Sequence, residues 1–129
     1  MLFRSGFDVL VIDAFSGDAI PVHLLTREAF ALYARHLKPD GILAVHISNR
    51  HLDLAPVVAD AAAFLHYDAR EVLTDDDDDR YCFNTRWVLI SAAPRFFDRP
   101  QFEASLRPPP NPALRPWTDD YSNILSVLK

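Results

Sequence analysis

Two rhythms alternate along the chain: short unbroken apolar runs, and longer stretches in which apolar residues recur every three or four positions. Phe7 to Asp13, FDVLVID, is of the first kind, with Val9 to Ile12 uninterrupted. A run without a polar face fits a strand covered on both sides, as in a parallel sheet. Asp13 then falls at its carboxyl end. After a polar loop, Phe30, Tyr33, Ala34 and Leu37 take helical spacing, with Thr26 placed to cap the start and Lys38-Pro39-Asp40-Gly41 to stop it. ILAVHI, residues 42 to 47, repeats the unbroken pattern and ends in Ser48-Asn49-Arg50-His51. The order so far is strand, helix, strand.

Asp53 is placed to cap a second helix, with Pro56 in its first turn and Leu54, Val57, Val58, Ala61 and Leu65 as the inward stripe. Ala69 to Leu73 and Arg86 to Ala92 read as a third and a fourth strand. The fourth is expected to run antiparallel, because only a short connection joins it to the third. Asp75 to Asp79 form a run of like charge between them, which predicts a solvated hairpin tip. Asp98 and Pro100 open a short helix holding Phe102 and Leu106. The following RPPPNPALRP excludes regular structure and predicts an extended strap. Thr118, with Asp119 and Asp120, caps a short C-terminal helix whose apolar positions are Tyr121, Ile124, Leu125 and Leu128. Residues 1–129 read as one α/β domain, with 107–129 as strap and terminal helix.

In such sheets ligands bind beyond the carboxyl ends of the strands. Asp13 and Asp18, with Ser48 and Asn49, are therefore expected to converge on one rim. A carboxylate there can take a proton from an amine or hold a cation. It can equally cap a turn, since aspartate is common in loops, and Asp18 can equally be a solvated loop residue. Of the five histidines, His46 and His51 flank the same strand end, but no metal-binding spacing occurs. Ser16 lies in FSGDA, not in a nucleophile elbow. Lone Cys82 allows no intrachain disulfide and reads as a core or strand-edge residue. Trp117 and Tyr121 either wall a pocket or anchor the tail by their apolar area.

Half of the 129 residues are hydrophobic, enough for a core, and the formal charge of −5 with scattered cations argues against a nucleic-acid partner. No apolar run reaches the roughly 20 residues of a membrane span, and the first residues lack a signal-peptide pattern. A soluble, cytoplasmic protein is the resulting expectation. Gly6, Gly17 and Gly41 stand too far apart for a phosphate-cradling loop.

FDVLVIDAFSGDAIPVHLLTREAF, LKPDGILAVHISNR, RWVLIS and WTDDYSN together resemble the C-terminal half of spermidine synthase-like proteins, over about Phe7 to Leu128. These are aminopropyltransferases with a Rossmann-like, class I methyltransferase fold. The resemblance implies that Asp13, with Ala14, lies against the co-substrate, decarboxylated S-adenosylmethionine. Asp13 would be the base for putrescine or a similar amine. It also implies substrate contacts from Asp18, Ser16, Asn49 and Tyr121, and a structural role for His23-Leu24-Leu25-Thr26. The acids of the Asp13–Asp18 loop stand two residues farther apart than in the family pattern.

The family's glycine-rich first half has no counterpart in this sequence, so the chain alone is expected to have little or no activity. The resemblance further implies a partial sheet in which Phe7 to Asp13 is an edge, the second strand lies beside it, and the fourth strand lies between the second and third. An open apolar edge invites a second chain, so a homodimer, or pairing with a complementary half, is expected there. A methyltransferase-like enzyme and a non-catalytic interaction module are the alternatives.

Overall fold

The computed structural model describes residues 5–13, 21–80 and 83–129. Four strands and two α-helices alternate: β1 (Phe7–Ile12), α1 (Arg27–His36), β2 (Leu37–His46), α2 (Ala55–Phe64), β3 (Asp68–Thr74) and β4 (Thr85–Ser91). The sheet order is β1-β2-β4-β3. β1 and β2 are parallel, while β4 runs antiparallel to both its neighbours. This is the mixed α/β sheet read from the sequence, including the antiparallel strand, with β1 at an edge.

The register divides the sheet into two faces. Leu10 and Ile12 of β1 lie beside Leu43 and Val45 of β2, which lie beside Ile90 and Val88 of β4. These residues pack with Phe30 of α1 and with Val57, Val58, Ala61 and Ala62 of α2 in one core cluster. Both helices therefore cover the same face. The opposite face carries Val9 and Val11, 58% and 52% exposed. The unbroken run at 9–12 is thus buried on one side only, and the expected double cover of β1 is not observed. A continuous apolar run fits a buried strand, but the run itself cannot specify how many layers surround it.

β2 begins at Leu37 and takes in Lys38–Gly41, which the sequence suggested as a helix stop. Leu37 has ψ 151° and pairs with Phe7, whereas Val9 already pairs with Ile42, so the extra residues form an irregularity in the parallel ladder. A Cβ on Gly41 would meet Phe7 O at 2.9 Å and Lys38 O at 3.0 Å. The bulge therefore depends on close backbone approach. Asp53 stands one residue before the position expected of a cap. Leu54 is the N-cap of α2, and the Asp53 carboxylate accepts from Ala55 N–H at 3.3 Å.

The chain after β4 departs most from the helical spacing. Short 3-10 turns at Pro94–Asp98 and Pro100–Phe102 replace the helix expected through Leu106. Leu106 instead exchanges backbone hydrogen bonds with Glu71 on the free edge of β3, at 2.7 and 3.2 Å. Residues 107–116 form the expected strap without helix or strand. The helix expected from Thr118 is absent: Thr118 and Tyr121 bond to each other across a tight turn, and Asn123 caps a 3-10 turn at Ile124–Val127. The tail's backbone is committed to other partners, with Arg27 N–H on Trp117 O and Asp53 N–H on Val127 O. Trp117 is 1% exposed and anchors the tail in the core.

Candidate functional site

Asp13 follows Ile12 at the end of β1, and His46 ends β2. Because Ile12 pairs with Val45 in a parallel register, Asp13 and His46 are the next pair along. His46 Nδ1 lies 2.8 Å from Asp13 Oδ1. A carboxylate only accepts, so with Asp13 ionised the Nδ1–H is the donor. Trp87 occupies the matching position in β4, and its ring stacks on His46 with centroids 4.7 Å apart and planes 28° from parallel. Carboxylate, imidazole and indole thus form a row across three strands, on the face away from the helices. The Asp13 side chain is 55% exposed and that of His46 is 19% exposed. A solvent-facing carboxylate held by a half-buried ring can accept a proton or bind a cation.

Asn49 lies at the same strand-end rim, three residues beyond His46. Its Oδ1 accepts from His51 N–H and Leu52 N–H, both at 2.9 Å, so it shapes the β2–α2 turn. Tyr121 sits in the turn tied to the start of α1 through Thr26–Asp119 and Glu28–Asp119 hydrogen bonds, with the Arg115 guanidinium 3.9 Å over its ring. Among the described residues no hydrogen bond joins Tyr121 or Asn49 to Asp13. Ala14, Ser16, Asp18 and Cys82 lie outside the described residues. Among the described residues no group of three or more His, Cys, Asp or Glu is arranged to hold a metal ion. None of their helices is long and apolar enough to cross a membrane.

Beside this row, Arg86 of β4 links the strand ends to the core. Its Nε and Nη2 donate to Glu71 Oε1 at 2.8 and 2.5 Å, and its backbone N–H donates to Ser48 Oγ at 2.7 Å. Glu71 is only 6% exposed, so this guanidinium is what makes its charge tolerable in the interior. Spacing alone gave no sign of either arrangement. The His46–Asp13 pair and the Arg86–Glu71 pair both arise from strand register, which joins residues 33 and 15 positions apart.

Neither described glycine lies at the rim beside Asp13. Gly6 precedes β1, at the far end from Asp13, and Gly41 is used for backbone packing inside the sheet.

Fold and site together define an α/β protein with a carboxylate–imidazole pair at the carboxyl ends of two adjacent parallel strands. Compared with known proteins, the chain matches no family model, and no curated protein matches it significantly.

Proposed function

We propose that this chain carries the amine-activating part of a spermidine synthase-like aminopropyltransferase, with Asp13 as the proton acceptor. The observation that carries this reading is the placement of Asp13: solvent-facing, beyond the carboxyl end of β1, and oriented by His46 at 2.8 Å. An alkylamine is mostly protonated at neutral pH and must lose a proton before its lone pair can attack carbon. Asp13 binds the ammonium by a charge-assisted hydrogen bond and takes the proton, and His46 fixes which carboxylate oxygen is turned outward. Decarboxylated S-adenosylmethionine would supply the electrophilic carbon. Of the two residues that the resemblance sets against it, Asp13 is described and Ala14 is not, and the proposal is confined to the amine.

The test is calorimetric titration of the full chain with putrescine. Asp13→Asn should weaken binding roughly tenfold or more, the size of one hydrogen bond to a charged group. His46→Gln should have a smaller effect. Equal affinity of Asp13→Asn and the parent chain would overturn the reading.

The second reading, an interaction module, is favoured by the β1 edge. Phe7, Val9 and Val11 are 46%, 58% and 52% exposed on a strand with a single sheet neighbour among the described residues. Such an edge supports pairing with a second copy or with another chain, and it is compatible with a cytoplasmic location.

A further inference from the structure

A polar cleft of about 660 Å³ opens where β2 ends and β4 begins, lined by Ser48, Asn49, Arg50, Asn84, Arg86 and Lys129. Three of these six side chains are cationic and none is a carboxylate, in a chain whose formal charge is −5. We infer that this cleft binds the oxyanion group, carboxylate or phosphate, of a small-molecule ligand. The inference goes beyond the amine reading and does not depend on it.

The hydrogen bonds already made inside the cleft leave mainly donors facing outward. Asn49 uses its Oδ1 on His51 and Leu52 N–H, so its remaining group is the amide NH₂. The Oγ of Ser48 already accepts from Arg86 N–H, which leaves its O–H to donate. Lys129 Nζ gives one hydrogen bond to Asn49 O at 2.6 Å and has further N–H donors. Arg86 is already met by two carboxylates, Glu71 at 2.5 Å and Asp53 at 3.5 Å, so that group adds no positive charge to the cleft. The cations in the cleft without a side-chain carboxylate partner among the described residues are Arg50 and Lys129. Asp76 is a third carboxylate beside the cleft: its Oδ1 accepts from Asn84 N–H at 2.6 Å, which ties down that oxygen at the edge. A basin holding two cations that no side-chain carboxylate neutralises, one of them with donors to spare beyond its bond to Asn49 O, fits an acceptor-only group, and a guanidinium such as that of Arg50 can take the two oxygens of a carboxylate or phosphate bidentately.

The inference is tested by amide-resolved NMR titration of the full chain with inorganic phosphate and, separately, with succinate. Ionic strength is matched with sodium chloride. Saturable shifts are expected at Asn49, Arg50, Arg86 and Lys129 with at least one probe, and the tighter probe identifies the oxyanion. Arg50→Gln should weaken that binding roughly tenfold, equivalent to one charged hydrogen bond. Lys129→Gln should weaken it less, and Asp13→Asn should leave it unchanged. Arg86 is unsuitable for substitution because it neutralises a buried glutamate. Shifts that chloride reproduces at equal ionic strength, or affinity unaltered by Arg50→Gln in a chain whose spectrum stays native, would overturn the inference. Because putrescine binding is assigned to Asp13, loss of either binding event leaves the other assignment standing.

Discussion

Asp68, at the start of β3, shows how single side chains set the stability of this sheet. Burial raises its pKa, but hydrogen bonding and charge from Arg70, the charge of Arg107 and the N–H of Ala69 outweigh that, and the carboxyl sits below its usual value of 3.8. Arg70 Nη1 lies 2.8 Å away, and Arg107, which is largely exposed, lies at 3.3 Å. A depressed carboxyl pKa stabilises the fold at all pH values above the unfolded-state value, about 3.9, and that contribution is lost as pH falls through the lower folded value. Asp68→Asn should therefore cost about 1 kcal/mol at pH 7. It should also flatten the acid limb of the stability curve below about pH 4, measured by urea unfolding across pH. At this scale the sequence identified the prominent residue but not its partner. Asp13 stood out by ending an apolar run, whereas His46 looked like one histidine among five because nothing local links positions 13 and 46.

Among the elements, α1 was legible from its first residue. Thr26 is 1% exposed, its Oγ1 accepts from Ala29 N–H at 3.2 Å, and its hydroxyl donates to Asp119 at 2.7 Å. Thr26→Ala removes both bonds and leaves the N–H of Ala29 without its cap. The expected loss is about 1–2 kcal/mol, measured as a lower urea midpoint, with Thr26→Ser recovering most of it. The far end of α1 was not legible. Lys38-Pro39-Asp40-Gly41 carries every residue type that ends a helix, and the helix does end there, but the same residues continue as the bulged start of β2 because β1 lies alongside to pair with them. The tail shows the same limit. Helical spacing over 121–128 was real in the sequence, yet backbone bonds to His51 and Asp53 hold these residues to the β2–α2 turn.

At the scale of the whole sheet, the order β1-β2-β4-β3 leaves β1 with one neighbour among the described residues, and Val9 and Val11 exposed on the face opposite α1 and α2. If the edge pairs with a second chain, light scattering at micromolar concentration should give a dimer. Val9→Lys combined with Val11→Lys should shift it to monomer without loss of secondary structure, since charges on an edge strand oppose pairing. A monomeric parent chain would exclude this use of the edge. The sequence by itself determined the alternation of strands and helices, the cap of α1, the antiparallel β4 and the position of Asp13 at a strand end, because each follows from spacing between neighbours along the chain. Only the tertiary structure decided that both helices share one face, that Asp13 is held by His46, that Arg86 neutralises Glu71, and that Arg50 and Lys129 meet across one cleft. Those contacts depend on register between segments distant in sequence, and register is fixed only when the apolar faces pack together.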